Sequence, residues 1–128
     1  MSAISINHIN IRAPADLLAS LRDFYCNALG LQVGERPGFA SQGYWLYSGH
    51  HALIHLSVCK KDEIRAVNVQ NTLDHVAFTS SDQVAMCNNL TAMGVKFTTD
   101  LVPGRQIHQV FFYDPAGNGV ELSFVESD

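Results

Sequence analysis

Short apolar runs of two different periods alternate along the chain, and their order predicts its elements. Ile4 to Ile11 is rich in isoleucine and suits a strand. From Asp16 to Leu29 the period lengthens. Leu18, Leu21, Tyr25 and Leu29 fall on one helical face, Pro14 stands just ahead, and Gly30 can take the left-handed conformation that ends a helix. Leu73 to Thr79 returns to a strand pattern. Ser81 is placed to cap a second helix carrying Val84, Cys87, Leu90 and Met93, which Gly94 stops. Val95 to Thr99, His108 to Tyr113 and Gly119 to Val125 read as strands. The turn formers of Asp114-Pro115-Ala116-Gly117-Asn118-Gly119 should close a hairpin between the last two.

The plan is written twice. Asn7-His8-Ile9 matches Asp74-His75-Val76, each a polar residue, a histidine and a β-branched residue at the head of a strand. Ala28-Leu29-Gly30-Leu31-Gln32-Val33 matches Ala92-Met93-Gly94-Val95-Lys96-Phe97, and Ile54-His55-Leu56-Ser57-Val58 matches Val120-Glu121-Leu122-Ser123-Phe124. The offset is 67 residues from His8 to His75, 64 from Gly30 to Gly94 and 66 from His55 to Glu121. Three landmarks in one order at a near-constant offset indicate a duplication. Each half reads as strand, helix and three strands. The expected fold is α+β, a single domain built from two βαβββ modules at about 1–62 and about 70–128.

Side chains alternate across a strand, so parity sorts them onto two faces. Ile9 and Ile11 oppose His8 and Asn10; Ile54, Leu56 and Val58 oppose Leu53, His55 and Ser57; Val76 and Phe78 oppose His75, Ala77 and Thr79; Val120, Leu122 and Phe124 oppose Glu121 and Ser123. One face is apolar and suits packing on the helices. The other carries a potential ligand among small or polar neighbours. Strands that merely face water usually carry several Lys, Glu and Thr residues, so this face fits the wall of a concave cavity better. A carboxylate there needs a cation or a partner. His8, His75 and Glu121 form a facial set of two imidazoles and one carboxylate, suited to Fe, Mn, Ni or Zn as the divalent ion. His55, at the position equivalent to Glu121, has three readings: a fourth ligand, an acid or base beside the ligands, or a remnant of the duplication.

Composition narrows the function classes. The chain has 128 residues, 47% of them hydrophobic and 16% charged, which is enough to bury a core without disulfides. A net charge of −4 with no basic stripe speaks against nucleic acid as a partner. No apolar stretch approaches the length of a membrane span, and no apolar run follows a basic N-terminus. Cys26, Cys59 and Cys87 are odd in number and widely spaced, as expected of reduced thiols in a cytoplasmic protein. Lys60-Lys61-Asp62-Glu63 reads as wet surface, and His50 and His51 as solvated turn residues.

Four segments together resemble the vicinal oxygen chelate superfamily of glyoxalase I, bleomycin- and fosfomycin-resistance proteins and extradiol dioxygenases. They are Asn7-His8-Ile9, Phe24-Tyr25-Cys26-Asn27-Ala28-Leu29-Gly30-Leu31, Asp74-His75-Val76-Ala77-Phe78 and Asp114-Pro115-Ala116-Gly117-Asn118-Gly119-Val120-Glu121-Leu122. The resemblance implies a curved glyoxalase-like sheet around a metal cavity. It places a divalent cation on His8, His75 and Glu121; His55, which shares the parity of the ligands, and Glu121 are the candidate catalytic residues. It implies a homodimer and a small-molecule substrate held through vicinal oxygens, the metal stabilising an enolate or oxyanion in lyase, isomerase or ring-cleaving dioxygenase chemistry. The alternative is a drug- or metabolite-binding resistance protein. This chain departs from glyoxalase I, which has a carboxylate where His55 stands, and from the fosfomycin and many extradiol proteins, which have a tyrosine where Phe111 stands.

Aromatic residues recur beside the ligand strands. Trp45 and Tyr47 match Phe111 and Tyr113, and the four are candidates to line a substrate cleft. Gln109 shares the parity of Phe111 and can supply a polar contact. Arg105, in the loop from Pro103 to His108, can clamp an anionic group, and the equivalent loop from Arg36 to Gly43 can act as a lid.

Overall fold

Pro14 turns the chain from a strand into a helix. Its φ of −58° and ψ of 156° keep it outside the helix, while its carbonyl accepts the first helical bond from the Leu18 N–H at 2.9 Å. Gly30 ends that helix at φ 70°, a backbone conformation that costs a residue with a Cβ. The structure, a computed structural model, describes residues 1–125. It divides into a first unit, Met1–Ala66, and a second unit beginning at Val67.

The first unit runs β1 (Ile9–Ala13), α1 (Ala15–Leu29), β2 (Gln32–Gly34), β3 (Gly43–Ser48) and β4 (His51–Val58). Its sheet order is β1-β4-β3-β2, with β1 parallel to β4 and the other pairs antiparallel. Leu18, Leu21, Phe24, Tyr25 and Ala28 of α1 are buried on the side that meets Leu46, Ile54 and Leu56 of the sheet. Leu29, expected on that stripe, is only half-buried, and Ala28 closes the stripe instead. The first strand is shorter than its isoleucines suggest. Ile4 and Ile6 are exposed, and the ladder with β4 takes in only Ile9–Ala13.

The second unit repeats the order with β5 (His75–Ser80), α2 (Gln83–Ala92), β6 (Thr98–Leu101), β7 (Ile107–Tyr113) and β8 (Gly119–Val125), arranged β5-β8-β7-β6 with β5 parallel to β8. Leu90, Val110, Phe112, Val120, Leu122 and Phe124 form its core. Asp82, not Ser81, caps α2: its carboxylate accepts the Ala85 N–H at 3.2 Å. Val84 falls in the first turn and is exposed, off the buried side. The strand expected from Val95 starts at Thr98. Gly94 and Val95 are taken up in closing the helix, Val95 N–H bonding Leu90 O at 2.9 Å and Gly94 N–H bonding Thr91 O at 3.0 Å.

The segment after β4 is less wet than expected. Glu63 receives Arg12 through two bonds of 2.6 and 2.8 Å, Arg65 at 2.7 Å and the Lys60 N–H at 3.1 Å. These bonds, Arg12 first, hold the Glu63 carboxyl well below the usual carboxylate range. A depressed folded-state pKa means stability that is complete above the unfolded value, near pH 4, and is lost as pH falls through the folded one. Glu63→Gln is therefore expected to flatten the fall in urea midpoint between pH 5 and pH 3 relative to the parent. Parallel curves for the two proteins would contradict this role. The three cysteines are free thiols. Among the described residues, no helix is long and apolar enough to cross a membrane.

Candidate functional site

In the first unit, three flat side chains stack on the sheet face away from α1. Trp45 is the cross-strand partner of His55, and their rings lie 3.9 Å apart at 11°. His8, just before β1, covers the other face of His55 at 3.7 Å and 12°. Phe39, from the loop before β3, meets Trp45 at 6.2 Å. Next in the same row, Asn10 Nδ2 donates to Ser57 Oγ at 3.0 Å. Burial, then the neighbouring His8, with lesser contributions from Arg36 and His51, pushes the His55 imidazole below its ordinary range; a backbone bond at Ala52 opposes them. His55 is thus held neutral, with a lone pair for a cation or a proton. His51, read from sequence as solvated, bonds through Nε2 to the Asn7 carbonyl and secures the segment that presents His8.

In the second unit, Glu121 and His75 meet on the equivalent face. The Glu121 carboxylate is only 6% exposed. Its Oε1 lies 3.1 Å from His75 Nε2 and accepts a long bond of 3.4 Å from Gln109 Nε2. Phe111 is the cross-strand partner of Glu121 and sets its ring edge-on to His75 at 5.5 Å. His75, Glu121, Gln109 and Phe111 are thus brought together, as are His8, His55 and Trp45.

The polar residue ahead of each histidine has a role that reading the sequence did not assign. His8 Nδ1 lies 2.8 Å from Asn7 Oδ1, and His75 Nδ1 lies 2.8 Å from Asp74 Oδ2. Both oxygens only accept, so each Nδ1 carries a proton, and in the neutral form of either ring the lone pair is on Nε2. The signal was present as the repeated polar–His pair, but nothing in the spacing showed which atoms would meet. At 3.1 Å, a neutral His75 Nε2 and a carboxylate oxygen are two lone-pair groups face to face. The contact calls for a positive species, either a proton on the ring or a cation. The donor chemistry therefore fits a divalent metal, with carboxylate and amide oxygens orienting the imidazoles from behind. The donors come in pairs: among the described residues, no group of three His, Cys, Asp or Glu side chains gathers in metal-holding geometry.

The remaining candidates sit further out. The Tyr47 ring lies over Gly34, where a Cβ would come within 2.6 Å of it, and its hydroxyl donates to the Glu35 carbonyl. Tyr113 is exposed at the end of β7, and Arg105 is exposed in the turn before it. In the loop from Arg36 to Gly43, Arg36 donates to the Ser41 carbonyl at 2.8 Å and lies over the Phe39 ring.

The chain is similar to known proteins in sequence and in fold. The family model of the Glyoxalase/Bleomycin resistance protein/Dioxygenase superfamily matches residues 5–122. The chain is 28% identical to Glyoxylase I 4 of Arabidopsis thaliana, covering 96% of this chain and 72% of that protein. Among solved structures it is similar to a glyoxylase/bleomycin resistance protein/dioxygenase domain from Frankia sp. EAN1pec, with a TM-score of 0.75 at 17% identity over 98% of this chain and 95% of that one. It is also similar to the fosfomycin resistance protein FosX from Listeria monocytogenes, solved with Mn(II) and sulfate. The TM-score there is 0.66 at 18% identity, over 97% of this chain and 93% of FosX. At these identities the two structures speak for the fold.

Proposed function

Because the chain belongs to the Glyoxalase/Bleomycin resistance protein/Dioxygenase superfamily, we propose that it is a divalent-metal-dependent enzyme acting on a small substrate with vicinal oxygens. The observation that carries this reading is the buried Glu121 carboxylate 3.1 Å from His75 Nε2, with the other ring nitrogen committed to Asp74. His8, His75 and Glu121 are the proposed ligands. In this reading the three hold one cation, within one chain or shared across a homodimer. When bound, the cation supplies Lewis-acid stabilisation of negative charge developing on substrate oxygens.

The chain's own residues do the rest. Asn7 and Asp74 hold the ligand imidazoles in the tautomer that offers Nε2. His55, kept neutral, serves as a fourth ligand or takes a substrate proton. Trp45 beside His55, and Phe111 beside His75, are each proposed as apolar contacts for the substrate. Both lyase or isomerase chemistry and ring-cleaving oxygenation suit this arrangement. An activity that survives strict anaerobiosis would select the former.

The test is elemental analysis of protein purified without chelators. Wild type is expected to carry one Fe, Mn, Ni or Zn per site, and His75→Ala to lose most of it. Equal metal content in the two would sink the proposal. A second reading has support in the same contact. With a protonated imidazole, His75 and Glu121 close as an ion pair, the arrangement a metal-free drug- or metabolite-binding resistance protein would keep. Wild type free of metal, but still binding a ligand after His8→Ala, would select it.

A further inference from the structure

A cavity of about 420 Å³ opens in the second unit beside His75, and no role has been given to the cation on its rim, Lys96. The sheet register explains how the cavity forms. His75 pairs with Gly119, and Gly119 pairs with Tyr113. Thr98 pairs with Phe111. His75, Gly119 and Tyr113 form one row across the face, and Lys96 lies two residues ahead of β6 at the far end of the cavity lining. Gly119 contributes no side chain and forms a floor. A Cβ there would stand 2.2 Å from the Asp74 carbonyl, so the close approach of β5 and β8 keeps the floor bare. Phe111, Phe97 and Tyr113 supply apolar wall.

The two ends of the cavity differ in charge. At the His75 end, the Asp74 carboxylate is committed to the imidazole and repels a second anion. At the other end, Lys96 is exposed, and among the described residues no carboxylate pairs with it. The backbones of β5 and the segment carrying Lys96 are three strand spacings apart, about 14 Å, and both His75 and Lys96 line the same cavity.

We propose that Lys96 is a specificity-determining residue that selects an aromatic carboxylate. The carboxylate meets the ammonium, the ring lies over Gly119 against Phe111 and Tyr113, and the far end is presented to His75. This rests on the metal-site reading only for what happens at that far end. The ring-and-carboxylate half stands on the cavity alone.

The probes are benzoate and its uncharged isostere benzamide, titrated against the full chain after EDTA treatment, with binding followed by amide shifts in NMR. Wild type is expected to prefer benzoate by roughly tenfold, the scale of one charge-assisted bond. Lys96→Met removes the preference by weakening benzoate alone, and Lys96→Arg restores it. Equal affinity for the two probes in wild type, no benzoate binding, or an unchanged preference in Lys96→Met overturns the proposal. The parallel control is metal content in His8→Ala, a residue outside this cavity. A preference that persists there while metal content is unchanged means that the ligand assignment has failed and the Lys96 cavity stands.

Discussion

Glu121→Gln is expected to abolish the response to divalent cations while leaving the metal-free fold at least as stable as wild type. The carboxylate is buried, and in the absence of a cation its partners are one imidazole at 3.1 Å and one amide at 3.4 Å. Taking a charge out of water against so few donors is unfavourable, and an amide of the same volume removes that cost. Metal binding moves the other way. A cation at a hundredfold excess over its Kd stabilises the native state by about 2.7 kcal/mol. Loss of a charged ligand should weaken affinity at least about 100-fold, since even partners behind the ligands contribute 10- to 100-fold. Thermal melts with and without Mn(II) or Zn(II) read both effects. An equal rise in Tm for the variant and wild type would remove Glu121 from the ligand set.

Asp114→Ala should carry the largest stability loss, about 3 kcal/mol. Asp114 is 5% exposed, and its Oδ1 accepts both the Ala116 and the Asn118 N–H at 2.9 Å, while Oδ2 accepts Asn118 Nδ2 at 3.0 Å. These bonds shape the turn in which Gly117 sits at φ 87° and the Asp114 N–H meets the Asn118 carbonyl. Without the carboxylate, the buried Asp114 position loses its acceptor and the Ala116 and Asn118 N–H groups lose the bonds that shape the turn. A loss of this size corresponds to a fall in Tm of roughly 10 °C. Asp114→Asn keeps one acceptor oxygen and should lose about half as much. The turn also fixes the β7–β8 register that pairs Phe111 with Glu121. Part of the metal response should therefore fall with it. A melt within 2 °C of wild type, about half a kcal/mol, would show that the turn holds without this carboxylate.

Much of the architecture is local and can be read in one dimension. The switch between period 2 and period 3.6 marks the elements, because alternation and helical stripes follow from backbone geometry within a few residues. Strand parity put His8, His55, His75 and Glu121 on the side away from the helices for the same reason. The duplication supplied the rest of the outline, since two copies of a pattern exclude most accidental readings of either. What the residue order could not decide is where a strand finds its partner. Ile4 and Ile6 have strand chemistry, but the pairing of β1 with β4 begins only at Ile9 with Ile54, and Val95 is used in closing α2. Nor could it show which polar atoms meet. The Trp45–His55–His8 stack, the commitment of Asn7 and Asp74 to the two Nδ1 atoms and the grip of Arg12 on Glu63 depend on cross-strand register and side-chain reach. Most of these contacts join segments far apart in the chain, or set a single torsion that packing selects. Such contacts are settled only when the whole unit closes, because the free energy that fixes them comes from burial shared over many residues.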